Sequence, residues 1–377
     1  MSDDIPLFEI AWDKEDILNV VDSIGRGSYW TKGPYVSAFE ERIEEYLGVA
    51  YARVVNSGTS ALMAALDAFD VGEGDEVVIP SFTFIATANA VKMVGATPVF
   101  ADIERETYGL DPASVEDCIT QRTAALLPIH PYGRGCHIDE LVHLAKTHDL
   151  PLIEDAAESF GGEHEGTKLG TFGDAAALSF CQNKIAVTGE GGAVVTDDES
   201  VAETVERYRS HGRVSSDYFQ STGSGQYADY GANFRMSDIT AALGCAQVDK
   251  VESLITKRRE AAGRMNDAFE AMEGVSPPPE PDTGRHVYQL YTITLDGDVD
   301  RETVIETMTD RDIACKVYWD PPVHRTTPYR TPGGGPSLPV SDEIAGRVLS
   351  LPIYPEIKEK ELERIVDAVR AGIRDGD

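Results

Sequence analysis

Three stretches of the chain bring together residue types suited to chemistry. In LSFCQNKIAVTGEGGAVVT, Ser179 and Lys184 bracket the end of an apolar run, and the glycine-rich turn Gly189-Glu190-Gly191-Gly192 follows. Lysine is sparse in this protein, and an amine set among neutral, glycine-flanked, apolar residues loses hydration. That favours the uncharged amine, the form that attacks a carbonyl to make a Schiff base. A lysine whose tip reaches water is the competing reading. In LIEDAAES, Asp155 closes an apolar run at what would be the carboxyl end of a strand, the edge of an open α/β sheet where ligands bind. A buried carboxylate there needs a cation or takes up a proton. The protonated ring nitrogen of a pyridine cofactor and a structural arginine serve equally well. In VVNSGTSALMAAL, Ser57, Gly58, Thr59 and Ser60 open a helical pattern. Exposed amides and the helix dipole make such a junction a phosphate cradle, although Ser and Thr also act there as plain caps.

The elements that must position these residues follow from periodicity. Val- and Ile-rich runs alternate with amphipathic segments through the first 200 residues, the pattern of a largely parallel α/β sheet. Strands are predicted at Ala52–Asn56, Glu76–Pro80, Thr97–Ala101, Ala124–Ile129, Leu152–Asp155, Ala175–Phe180 and Gly192–Thr196. Helices are predicted at Ser60–Phe69, Ile85–Val94, Ile138–Thr147 and Val201–Ser210. Seven strands interleaved with helices indicate a doubly wound layer. One long helix is expected from about Ser237 to Met272, and the breaker-rich SPPPEPDTGR after it reads as a domain connection. A length of 377 residues exceeds what one core serves economically. The expected division is a large domain over 1–250, N-terminal segment included, and a small α+β domain over 251–377. In the small domain VYQLYTITL and ACKVYW read as strands, and DRETVIETMTDR and KEKELERIVDAVRAG as helices. TPGGGPS reads as a mobile loop.

Composition narrows the function classes. Apolar residues make up 42% of the chain, ordinary for a packed globular protein, while 65 Asp and Glu against 33 Lys and Arg give a net charge of −32. The acids are spread over helical stretches and turns, which reads as a solvated acidic surface suited to a high-salt cytoplasm. The same charge disfavours nucleic acid and anionic lipid. The five cysteines are odd in number, far apart and without a CxxC pair, so buried thiols are expected in place of disulfides or a metal site. No basic leader and no membrane-length apolar stretch is found, and a cytoplasmic location is expected.

The order GPYVSAFEERIEEYLG, NSGTSAL, PSFTFIATANA, EDAAES, GTFGDAAALSF, NK, GEGG and GANFRMSDITAALG resembles the DegT/DnrJ/EryC1/StrS family of pyridoxal-phosphate-dependent sugar aminotransferases, over nearly the whole chain. The resemblance implies the fold-type I architecture of aspartate aminotransferase: a large domain with a mostly parallel seven-stranded sheet, and a smaller C-terminal α+β domain. It implies that Lys184 carries the cofactor as a Schiff base and moves the proton, and that Asp155 pairs with the pyridinium nitrogen. Gly58, Thr59 and Ser179 would hold the phosphate, Phe84 and Ala157 would cover the two ring faces, and Ser60 and Glu158 belong to the same cofactor set. Asn233 would reach the phosphate of a neighbouring subunit, making the active unit a homodimer. The amino group would pass from L-glutamate to a nucleotide-linked 4-keto-6-deoxyhexose such as GDP-4-keto-6-deoxymannose. His211, Arg235 and His324 are the candidate substrate contacts. Sugar dehydratases of the same fold carry histidine in place of the lysine, so Lys184 favours transamination. SFCQNK approaches the SFxGNK form of perosamine-type enzymes, with Gln182 in place of the glycine.

Other classes fit less well. A nicotinamide-dependent nucleotide-sugar oxidoreductase would place GxGxxG between its first strand and helix. Here GRGSYWTKG follows no convincing strand and leads to a proline. A metal hydrolase would need clustered ligands, whereas His130, His137, His143 and His148 follow one another at seven, six and five residues, and not at the three or four that would set neighbouring turns of one helix on one ion. Of these, His130 is the one expected to line a pocket. A non-catalytic relative has nothing in its favour, since Lys184 and Asp155 both remain.

Overall fold

The computed structural model describes residues 4–214, 225–281, 283–331, 333 and 335–376. Helices α1 (Lys14–Gly25) and α2 (Pro34–Leu47) come first, followed by β1 (Tyr51–Val55), α3 (Gly58–Ala68), β2 (Glu76–Pro80), α4 (Ala86–Met93), β3 (Thr97–Ala101), α5 (Pro112–Cys118), β4 (Thr123–Leu126), α6 (Ile138–His148) and β5 (Ile153–Asp155). A short hairpin, β6 (Glu163–His164) and β7 (Thr167–Lys168), precedes β8 (Ala175–Ser179), β9 (Gly192–Thr196) and α7 (Glu199–Tyr208).

Strands β3, β2 and β4 form one hydrogen-bonded group and β1, β9, β8 and β5 another. Parallel bridges from Leu126 to Leu152 and from Ile129 to Asp155 join them. The seven predicted strands therefore make one mostly parallel layer in which β9 alone runs against its neighbours. Every residue of β2, β5, β8 and β9 is buried, as expected of strands covered by helices on both faces. Helix α3 is apolar on most of its surface and is packed by β8 and β9 on one side and by α4 and α7 on the other.

The long helix expected over Ser237–Met272 is two helices, α8 (Asp238–Asp249) and α9 (Val251–Glu270). The break falls at Lys250, with φ −108° and ψ 0°. Its ammonium is drawn to Asp13 at 2.7 Å and to Asp16 at the start of α1. Helix α9 then runs through two cores. Val251 and Ile255 pack with the sheet layer, while Ala262, Met265 and Phe269 pack with the C-terminal part.

That part holds β10 (Val275–Ser276), β11 (Tyr291–Leu295), α10 (Arg301–Thr309), α11 (Pro339–Arg347), β12 (Val348–Leu351) and α12 (Glu359–Asp375), with β10, β11 and β12 in one antiparallel sheet. Two expectations fail here. ACKVYW is no strand: Lys316 alone pairs with Ser350, and the next residues turn their rings into an aromatic cluster. VYQLYTITL gives a strand only from Tyr291, because the amides of Val287 and Leu290 donate to the carbonyls of Gly133 and Tyr132. In TPGGGPS, residues 332 and 334 lie outside the described residues. All five cysteines are free. Cys136 and Cys245 are buried as expected, whereas Cys118, Cys181 and Cys315 are partly exposed. Among the described residues no helix is long and apolar enough to cross a membrane.

Candidate active site

Because β1, β5 and β8 run the same way, their carboxyl ends meet at one edge of the sheet. A cavity of about 730 Å³ opens there, walled by both halves of the chain. The sequence-predicted Gly58, Thr59, Phe84, Asp155, Ala157, Glu158, Ser179 and Lys184 all line it, as does His130.

At the first corner, Ser57 caps α3 by accepting the amide of Ser60 at 3.1 Å. The Ser60 hydroxyl is spent on Ser57 and Asn56. Ser60 is thus buried in the cap and does not line the cavity. The first-turn amides left facing it are those of Gly58 and Thr59, where the helix dipole favours an anion. A Cβ on Gly58 would stand 2.9 Å from Cβ of Ser179 and 3.1 Å from its hydroxyl, so only glycine lets the helix close on β8. The capping and phosphate-cradle readings of this motif are compatible, each using different atoms.

Asp155 is buried, accepting the Thr87 hydroxyl at 2.8 Å and the Ala157 amide at 3.2 Å. Burial pushes its carboxyl above the usual range, against the pull of those two hydrogen bonds and of the Lys184 charge. Such a carboxyl at a cavity wall suits a cationic ligand atom. Among the described residues, no arginine is found as its partner. Phe84 presents a half-exposed ring to the same space. Amides for an anion, an acid for a cation and a ring for stacking together fit a phosphorylated pyridine.

Lys184 departs from expectation. Its setting is not neutral, because its amine donates to Glu158 at 3.1 Å, both side chains being largely buried. The other oxygen of Glu158 accepts the Tyr132 amide at 2.9 Å.

The remaining predicted residues lie elsewhere. His324 is buried, with Nδ1 bonded to the Ser81 hydroxyl and Nε2 facing Asp342 at 3.5 Å, and it does not line the cavity. His211 and Asn233 are exposed and Arg235 half-exposed, on adjoining strands of loop where the His211 amide donates to Ala232 and Ser210 bridges Asn233. None of the three lines the cavity of its own chain. Partial desolvation and the guanidinium groups of Arg235 and Arg213 hold the His211 ring below the ordinary histidine value. Away from the cavity, His137 approaches Glu104 and Glu106 at 3.8 Å each, the one set of three possible metal ligands among the described residues.

Sequence reasoning missed two groups. Glu154, fully buried, accepts the amides of Gly170, Phe172 and Gly173 and faces His130 Nε2 at 2.8 Å. It fastens the loop behind Asp155, and an acid inside an apolar run was its only signal. The second group is the C-terminal wall, Lys316 to Pro321, where Trp319 stacks on Tyr132 with centroids 5.3 Å apart and planes at 16°.

Comparison with known proteins places this geometry in context. The model of the DegT/DnrJ/EryC1/StrS aminotransferase family matches residues 12–370. The chain is 35% identical to the GDP-perosamine synthase of Caulobacter vibrioides, over 89% of this chain and 90% of that one. It is 34% identical to the UDP-N-acetyl-3-dehydro-alpha-D-glucosamine 3-aminotransferase of Acidithiobacillus ferrooxidans, over 95% and 94%. The crystal structure of DesV from S. venezuelae, in complex with a ketimine intermediate, superposes with a TM-score of 0.90 at 32% identity, covering 98% of each chain.

Proposed function

The chain belongs to the DegT/DnrJ/EryC1/StrS aminotransferase family and is a sugar aminotransferase. On that premise we propose that it uses pyridoxal phosphate to move the amino group of L-glutamate onto a nucleotide-linked 4-keto-6-deoxyhexose, with GDP-4-keto-6-deoxymannose the first candidate. The observation that carries the cofactor reading is one cavity edge that joins Lys184, the buried Asp155 and the amides of Gly58 and Thr59. The likeness to GDP-perosamine synthases supports the sugar.

Bound there, pyridoxal phosphate supplies an electron sink that stores the amino group between the two halves of the reaction. Asp155 keeps a proton on the ring nitrogen, and a cation there would return its carboxyl to the charged form. Gly58, Thr59 and Ser179 hold the phosphate, while Phe84 and Ala157 confine the ring plane. Lys184 Nζ gives and takes the proton on the donor carbon, and Glu158 at 3.1 Å steadies its charged form. Asn233, with His211 and Arg235 beside it, would serve the cavity of a second copy. Helix α1 offers a face for that copy, since Ile17, Val21 and Ile24 are exposed along it with Trp12 and Trp30 at its ends.

The test is an absorbance spectrum before and after L-glutamate, with Lys184→Ala as control and GDP-4-keto-6-deoxymannose as acceptor. Bleaching of a visible band in the native protein alone, and an amino-sugar nucleotide by mass spectrometry, are expected. A protein that stays colourless when supplied with pyridoxal phosphate overturns the reading. A single-chain mass in solution would remove the shared site.

A further inference from the structure

Two lysines line the cavity, and they differ in partners. Lys184 is tied to Glu158, whereas Lys316 makes no ion pair among the described residues, although acids outnumber bases two to one in this chain. Asp320, close by in sequence, is already paired with Arg301. Among the described residues the Lys316 ammonium has no hydrogen-bond partner, and it lies over the face of the Tyr318 ring, 5.4 Å from its centroid. The side chain is exposed and so stands at the mouth of the cavity.

Its backbone, by contrast, is held firmly. The Lys316 amide donates to Ser350 at 3.0 Å and the Ser350 amide donates back at 2.8 Å, fixing the residue to β12. Three positions on, Trp319 stacks on Tyr132, and the Tyr132 hydroxyl donates to the Tyr318 carbonyl. A cation on a fixed backbone at a cavity mouth, beside aromatic surface, is an anion subsite arranged in advance of its ligand.

We propose that Lys316 binds the diphosphate of the sugar-nucleotide substrate. This rests on the function proposed above and adds a specificity residue to it. The reacting carbon of the sugar must reach Lys184 inside the cavity, so the charged linkage, at the far end of the sugar ring, falls toward the mouth. The amino donor carries its α-carboxylate on the reacting carbon itself, and that group would meet a cation deeper in. The shared chemistry is an anion, and the two half-reactions separate the two sources.

The experiment measures binding of GDP, UDP and dTDP by calorimetry at one fixed salt concentration, on the wild type, Lys316→Met and Lys316→Arg. Unchanged melting temperatures check folding. Methionine keeps the apolar stem and should weaken the best-bound diphosphate roughly tenfold, the scale of one charge-assisted hydrogen bond, and arginine should restore most of it. In steady-state kinetics the KM for the sugar nucleotide should rise by a similar factor relative to that for glutamate. Equal affinity in all three proteins, or a wild type that binds none of the diphosphates, overturns the proposal. So does a rise confined to the KM for glutamate, which would give the subsite to the donor. A wild type that binds a diphosphate through Lys316 yet is not bleached by glutamate would refute the proposed function and leave the subsite standing.

Discussion

The ammonium of Lys184 lies 3.1 Å from the carboxylate of Glu158, which also holds the Tyr132 amide. The two residues should therefore differ sharply in what their loss costs. Lys184→Ala removes the proton carrier and should cut turnover by roughly 10²–10⁴-fold or more. Glu158→Gln still accepts the Tyr132 amide and loses only the charge, so a drop of about tenfold is expected. Single-turnover rates with glutamate measure both. Equal losses would show that Glu158 does more than steady the amine.

Asp155→Asn should separate stability from activity. Burial lifts the Asp155 carboxyl, so the folded chain holds that proton more tightly than the unfolded one, whose value is about 3.9. Its contribution is therefore best at low pH and falls as pH rises from there through the folded value. Without cofactor, the asparagine variant should melt at or above the wild-type temperature at neutral pH while transaminating far more slowly. A clear fall in melting temperature would show that the charge is stabilised by the protein alone.

Asp67, half-buried on α3, is pushed up to about 6 by burial and by the charges of Asp229 and Asp70. The sign is the same: stability should decline between about pH 4 and pH 6 as this group ionises. Asp67→Asn should flatten that part of the melting-temperature profile, and an unchanged profile would refute the assignment.

A net charge of −32 makes the folded state repel itself in dilute buffer. Raising KCl from dilute to multimolar should raise the melting temperature, because screening shortens the reach of that repulsion. Equal values would refute adaptation to high salt.

Asp238, fully buried, accepts the Ser23 hydroxyl at 2.6 Å, an Arg26 nitrogen at 2.8 Å and the Tyr35 amide at 2.8 Å. Asp238→Ala leaves these donors unmatched and should cost roughly 2–4 kcal/mol in denaturant unfolding, the range for breaking a buried charged network. A loss below about 1 kcal/mol would show that the N-terminal segment is held by its apolar contacts.

Local pattern was a good guide wherever local physics decides. The strands Glu76–Pro80, Thr97–Ala101 and Gly192–Thr196 end where expected, since each is a short apolar run closed by polar or small residues. It failed where distant groups decide. The break at Lys250 has neither glycine nor proline to announce it, and its side chain is paired with acids more than 230 positions away in α1 and its cap. His324, a candidate substrate contact by sequence, is instead buried against Ser81 from the other half of the chain and does not line the cavity. Glu154 and Asp238, which sequence reasoning did not single out, act as fasteners, because an acid in a motif does not reveal whether amides or ligands will surround it.

The Trp319–Tyr132 stack has a consequence for how such an enzyme changes over time. It clamps the C-terminal wall onto Tyr132, whose amide is held by the same Glu158 that pairs with Lys184, so the wall of the cavity and its reactive floor are tied through one carboxylate. An exchange at Trp319 would then be felt at Lys184 through Tyr132 and Glu158, so the wall and the reactive end have to change in step.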